Sequence, residues 1–501
     1  MKHLFLFLAF VTFFGTQLPA QVVPSLEDPA MDDYFNDQSH IPKITGRFVH
    51  FNTNDLKEQI VNYTLVVPFA KMQTDNETVQ VAPDGTFEIK LSYLEPYQQI
   101  WLNIGNIYFS EIIANKDLHI ETDIALLKQD TFEFWGKGVT FSGSDAAINE
   151  MVNRFYFENR DQINEIQSGV MAVKKEVSMR YPKMQEADKA LANLEKEFLS
   201  VHPCADGWLL ANARKADYYA DILALHYQTD TQMEGSLLQE LLAFQPAVVD
   251  NAGITFYKNL GFYLERFSKR GILEGIDYAG ISPRKAELVL MTNGSRYPEE
   301  VETYFKNIAN RLNSSWVKSS VEQELKRNQV IIDQINTEII NATVPTGGIS
   351  ELGQPVAAFS FHADLYQSGY SSADSLIAGI RAAYPGQAII LDIWATWCAP
   401  CVQDMKESAD KKKAMEGLPV KIVYLCVNKG ASLEIWMKKI AEIGSSGTHI
   451  FLDKPLSKDL MKSFGLNAYP TYLLIDKDGK VHKDLIPNIA NLDLDMLKRF
   501  L

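Results

Sequence analysis

Apolar and polar positions change rhythm twice along this chain of 501 residues. Between 41 and 143 they come in short, largely alternating runs: Val61-Asn62-Tyr63-Thr64-Leu65-Val66-Val67, Val79-Gln80-Val81, Thr86-Phe87-Glu88-Ile89-Lys90-Leu91 and Ile100-Trp101-Leu102-Asn103-Ile104. Residues two apart share one face of a strand, so these runs predict half-buried strands, with Pro83-Asp84-Gly85 as a turn between two of them. Several short strands of this kind close naturally as an antiparallel β-sandwich. From 144 to 340 the apolar spacing lengthens to helical steps, as in Leu191, Leu194 and Phe198, or Val321, Leu325, Ile332 and Ile335. Ser319 and Glu322 read as a capping box at the start of the second set. These stripes read as core, as do the aromatics Trp208, Tyr218, Tyr219 and Tyr227, for which lining a groove is the alternative. A sandwich followed by helices suggests a platform for docking a partner or for forming a homodimer.

Turn formers in Asn341-Ala342-Thr343-Val344-Pro345-Thr346-Gly347-Gly348 mark a linker over 341–352. The final domain, 353–501, opens a different pattern. Ala388-Ile389-Ile390-Leu391-Asp392-Ile393-Trp394 is apolar on both faces, as a central parallel strand must be. A helix is predicted next, because Pro400 fits a first helical turn and Val402, Met405 and Ala409 follow at roughly helical spacing. Val420 to Val427 and Tyr472 to Asp476 read as further buried strands, and Asp478-Gly479 as a tight turn. Pro470 is placed to open the strand that begins near Thr471; its missing N–H leaves neighbouring backbone free to pair with an extended peptide. The chain as a whole is thus a multidomain α/β protein.

Chemistry enters with Trp397-Cys398-Ala399-Pro400-Cys401, in a chain with only four cysteines. Cys398 falls at the predicted helix N-terminus, where unpaired amides and the positive dipole end favour a thiolate, the attacking species in disulfide exchange. Cys401, one turn on, is placed to resolve the mixed disulfide. Asp392 stands alone in an apolar strand; burial without a partner raises its pKa and suits it to trade a proton with Cys401. The alternative is a strand-edge Asp facing water. Zinc is the chemical rival for a two-spaced cysteine pair, but the second half of a metal centre is missing: Cys204 and Cys426 stand alone, and His202 and His449 show no ligand spacing. Cys204 and Cys426 read as packing, and Lys411-Lys412-Lys413 as a solvated helix face. No metal and no cofactor is called for, since the sulfur pair itself carries the electrons.

The string from Asp392 through Cys401, with Tyr469-Pro470-Thr471 later, resembles the thioredoxin superfamily, and within it the TlpA/ResA-like branch. Gly353-Gln354-Pro355 with Ala358-Phe359-Ser360-Phe361 is similar to that branch's opening segment, and Ile475 to Lys480 to its terminal hairpin. The resemblance covers roughly 353–501. It implies a thioredoxin-like fold, a nucleophilic Cys398, a resolving Cys401, a proton-handling Asp392, a cis bond at Pro470 facing the disulfide, and Trp397, Tyr469 and Pro470 as substrate-contacting residues. It also implies disulfide-containing or dithiol protein substrates, an upstream membrane redox partner, and reduction as the direction of flow. Two positions depart from the branch. Many relatives have a proline where this chain has Lys406, which puts the usual helix kink in doubt, and Tyr469 is bulkier than the residue common before the proline.

Met1-Lys2-His3 followed by an apolar block from Leu4 to Phe14 reads as a secretory signal over 1–21, with Ala20 as cleavage residue and 22–40 as a connecting segment. The block is short for a membrane span, though Leu18 makes an imperfect cleavage site and leaves an uncleaved anchor as the alternative. With few cysteines in a sizeable exported protein, the disulfide is catalytic and not a staple, and the periplasm is the expected address. The net charge of −15 is uneven: from residue 353 onward 17 Lys plus Arg face 16 Asp plus Glu, so the acidity belongs to the first two thirds. That balance disfavours nucleic acid as a partner. The primary reading is an exported protein thiol-disulfide oxidoreductase. The second, from another class, is a protein- or glycan-binding module over 41–340 that carries an accessory redox domain.

Overall fold

A computed structural model describes residues 25–36, 41–54, 60–74, 76–91, 96–105, 107–129, 132–133, 135–268, 281–295, 297–344 and 349–501. The signal sequence expected over 1–21 lies outside the described residues, as do 22–24 and 37–40 of the segment after it and 345–348 of the linker. Two compact units divide the chain, one ending at Lys326 and the other beginning at Arg327.

In the first unit the alternating runs form two sheets. Its strands are β1 (Lys43–Val49), β2 (Ile60–Leu65), β3 (Glu77–Gln80), β4 (Thr86–Ile89), β5 (Gln98–Ile104), β6 (Tyr108–Ala114), β7 (Asp117–Asp123), β8 (Phe132–Glu133) and β9 (Val139–Ser142). Their orders are β4-β1-β7-β9 and β3-β2-β5-β6-β8. Most pairs are antiparallel, while β1 with β7 and β6 with β8 run parallel. Ile44, Phe48, Leu118 and Ile120 of one sheet share a core with Val61, Leu65, Ile100 and Leu102 of the other, because every second residue points inward. Helices follow from Ala146–Met171 to Ser315–Asn341. The capping box expected at Ser319 and Glu322 is not a helix start: the last helix begins at Ser315 and runs through both. Trp316 and Val317 are buried in the core, and that packing carries the helix one turn earlier than its polar signal.

The second unit is built on one seven-stranded sheet. It contains β10 (Gln354–Phe359), β11 (Ala363–Gln367), β12 (Ala388–Trp394), β13 (Val420–Cys426), β14 (Gly447–Phe451), β15 (Thr471–Ile475) and β16 (Val481–Lys483), in the order β10-β11-β14-β13-β12-β15-β16. All seven residues of β12 are buried, as its two-faced apolar run requires. It pairs parallel with β13 and antiparallel with β15, a register that sets Asp392 opposite Tyr424 on one side and Tyr472 on the other. With helices packed on this sheet, the unit has a thioredoxin-like fold. Its core also takes Ile335, from the helix that ends at Asn341, so the unit reaches back past the expected linker.

Candidate active site at the cysteine pair

A strand that must end and a helix that must begin place the cysteines. β12 stops at Trp394 and the helix Ala399–Glu407 starts five residues later, with Cys398 as its N-cap and Pro400 in the first turn. The Cys398 Sγ accepts a hydrogen bond from the Cys401 N–H at 3.3 Å, the position an N-cap side chain takes toward the third residue of a helix. The two sulfurs form a disulfide, with Cα atoms 5.3 Å apart. Cys398 is 3 % exposed and Cys401 fully buried, so the outer sulfur is the one that approaching groups meet.

Six residues before Cys398, Asp392 is fully buried, and neither carboxyl oxygen has a hydrogen-bond partner. Burial pushes its pKa well above the usual carboxylate range; the negative charge of Asp404 pushes it further, and the Lys412 ammonium pulls against both. The water-facing alternative for Asp392 does not occur.

Asp404 was not singled out by the sequence, although it lies one turn after Cys401 in a helix whose inner face is apolar. Its carboxylate accepts from the Tyr472 hydroxyl at 2.7 Å and from the backbone N–H groups of Ile489 and Ala490 at 3.0 and 2.9 Å. It ties β15 and the C-terminal segment to the cysteine helix.

Lys412 corrects the reading of the lysine run as a solvated face. Lys411 donates to the Leu492 carbonyl at 2.7 Å, and Lys412 turns inward, donating to Ser445 Oγ at 2.8 Å and lying over the Tyr424 ring at 5.5 Å. Only Lys413 of the three is fully exposed. A lysine stem is long and apolar enough to cross the helix surface and deliver its charge to buried acids, which a count of charges along the chain does not reveal. Burial lowers the Lys412 pKa to about 8, while Asp392 and Asp404 hold it up. A cleft of about 360 Å3, lined in part by Met405, Lys412, Ser445 and Ser446, opens beside it. Next to Tyr424, His449 stacks ring on ring at 4.6 Å and is held neutral by burial, its pKa lowered to about 3.

The helix break expected from a proline occurs without one. The cysteine helix ends at Ser408, whose hydroxyl donates back to the Met405 carbonyl at 3.1 Å, and a new helix starts at Ala409.

Around the sulfurs, Trp397 is 43 % exposed and meets the ring of Tyr469 edge to face at 5.7 Å. The Tyr469–Pro470 bond is cis. Cys426 is buried on β13 in register with Trp394, its thiol pKa pushed well up by burial, and Cys204 lies in the first unit with its Sγ 3.8 Å from the Ala147 carbonyl.

Residues 379–491 match the profile of the Redoxin family, so the second unit carries a Redoxin domain. This chain is 30 % identical over 111 residues to the thiol-disulfide oxidoreductase ResA of Geobacillus thermodenitrificans (strain NG80-2), covering 22 % of this chain and 61 % of that relative. It is 30 % identical over 101 residues to ResA of Bacillus subtilis (strain 168), covering 20 % and 52 %. The match thus spans between about half and three fifths of these relatives' own length. Among solved structures, the thioredoxin domain of a thiol-disulfide oxidoreductase from Bacteroides vulgatus matches with 22 % identity, 24 % of this chain, 84 % of that chain and a TM-score of 0.21. StoA from Bacillus subtilis matches with 22 % identity, 23 % and 83 % coverage and a TM-score of 0.19.

Proposed function

We propose that this chain is an exported protein thiol-disulfide oxidoreductase that reduces disulfides in partner proteins through Cys398 and Cys401. The observation that carries the reading is a disulfide at a helix N-terminus, outer sulfur at the cap, in the unit that also buries Asp392 with no hydrogen-bond partner on its carboxyl. In the reduced enzyme the Cys398 thiolate attacks one sulfur of a partner disulfide, forms the mixed disulfide and expels the partner's other sulfur as thiolate. Cys401 then loses its proton and attacks Cys398, re-forming the enzyme disulfide and releasing the second partner thiolate. Two electrons pass from enzyme to partner, and a dithiol donor on the membrane side restores the reduced pair.

Asp392, directly or through one water, takes the Cys401 proton during that second attack, because a buried carboxyl with a raised pKa is a usable base near neutral pH. Lys412 tunes that acid by favouring its ionised form. Trp397, Tyr469 and Pro470 form the surface against which the partner peptide lies. Export to the periplasm would put the pair where partner proteins carry disulfides, and no described helix is long and apolar enough to cross a membrane.

The deciding experiment replaces Cys401 by Ser in the full chain and exposes it to disulfide-bonded partner proteins. A covalent adduct that dithiothreitol releases, attached through Cys398, is expected. No adduct, or one through another cysteine, overturns the assignment.

A further inference from the structure

The disulfide is nearly enclosed, so whatever reaches Cys398 must first lie on the rim around it. Trp397 gathers three segments near the disulfide: its own, 396–400, then 428–432 through Lys429 and 466–470 through Tyr469. Between them they carry one ionisable charge at neutral pH, the ammonium of Lys429.

The loop that carries that ammonium is tied to Trp397. The Lys429 carbonyl accepts the Trp397 Nε1–H at 2.6 Å, which ties the 428–432 loop to the exposed indole. The Lys429 Nζ stands 5.6 Å from the Trp397 ring centroid, within cation–π range. Gly430 turns the loop with φ +74°, so closely that a Cβ there would sit 3.7 Å from Trp397 Cδ1. Tyr469 bounds the indole on another side. The loop therefore fixes both the aromatic surface and a positive charge beside it, and Lys429 is itself exposed to an incoming chain.

Resting on the oxidoreductase reading above, we propose that Lys429 is a specificity-determining residue: it selects partner polypeptides whose disulfide cysteine is flanked by Asp or Glu. A carboxylate next to the attacked sulfur meets the ammonium at the edge of Trp397, whereas a flanking Lys or Arg meets like charge. The pair is exposed to solvent, so its effect is modest and falls with salt.

The test uses the full chain and disulfide-linked peptides identical except for Asp or Lys at the positions beside the cysteine, with dithiothreitol recharging the enzyme. At low salt kcat/KM should favour the acidic peptide by roughly threefold to fivefold. High salt should flatten the difference, and Lys429→Glu should invert it. Equal turnover of the two peptides, or an unchanged preference in Lys429→Glu, overturns the proposal. The same peptides with Ser for Cys, which cannot react, give a second readout: their affinities, followed by tryptophan fluorescence, should rank in the same order and reverse in the variant. Bis(2-hydroxyethyl) disulfide, which is uncharged, separates the two claims. If it is not reduced, the oxidoreductase reading fails, and the serine peptides still decide the charge preference.

Discussion

Both units bury carboxyl groups, and the two sets differ in what surrounds them. In the first unit Glu111 and Asp250 are each 8 % exposed. Glu111 accepts from Gln99 Nε2 at 2.7 Å and Asp250 from the Gly253 N–H at 2.6 Å. Burial and, to a lesser degree, a neighbouring carboxyl together lift each pKa to about 7: Asp217 acts on Glu111, and Glu111 on Asp250. In the second unit burial and Asp404 lift Asp392 in the same way, but Lys412 opposes them, and a cysteine pair begins the next helix. A raised acid therefore marks a stored proton, and it becomes part of a reaction only where a group that exchanges protons is placed with it.

The comparison breaks most sharply at the sulfurs. Cys398→Ser should abolish disulfide reduction in an insulin-type turbidity assay while leaving both units folded; turnover at the wild-type rate would mean that the second unit's acids serve no thiol chemistry. Asp392→Asn comes next. The release step should slow by roughly a hundredfold to ten-thousandfold at neutral pH, the range of one acid-base group, and the pH-rate profile should lose the limb this carboxyl produces. An unaltered profile would remove Asp392 from the proton path.

The same substitution has a stability sign. Folded Asp392 holds its proton above its ordinary value of 3.8, so its contribution is fully present below that pH and is lost as pH rises through the folded pKa. Asp392→Asn should gain stability over the wild type as pH increases, read as a rising difference in urea midpoint.

Glu111→Gln tests the other half of the comparison. The raised pKa of about 7 means that Glu111 stabilises the first unit most below 4.5 and loses that contribution as pH rises through 7. At pH 8 the variant should be more stable by on the order of 3 kcal/mol, since each pKa unit is worth about 1.4 kcal/mol, with disulfide turnover unchanged. A drop in turnover would join the two acid sets functionally. The smallest effect is expected from Lys412→Met. Without the ammonium Asp392 ionises less readily, so the acid limb of the pH-rate profile should move upward by roughly one unit, the scale of a single partly buried charge pair. A downward move would reverse the sign given to Lys412.

Much of this was legible in local patterns. The continuous apolar run 388–394, the proline in the first turn and the two cysteines located the strand, the helix and the outer sulfur, because each depends on neighbours within a few residues. The alternating runs placed β2 to β5 within one or two residues, but β1 and β6 to β9 went unnamed. Ser319 and Glu322 had the chemistry of a helix start, and burial of Trp316 overruled it.

Read alone, the chain determined the identity and spacing of its candidate groups: two cysteines one helical turn apart and an acid six positions earlier in an apolar strand, with burial of that acid left against a water-facing alternative. Only the tertiary structure decided who surrounds them. Tyr424 and Tyr472 reach Asp392 through strand register, Asp404 binds backbone more than eighty residues away, Lys412 folds a surface-looking charge inward, and Lys429 is carried to Trp397 by a loop. Spacing along a chain specifies covalent neighbours, whereas desolvation and charge act through space, so the electrostatics of a buried site come into being only when distant segments pack together.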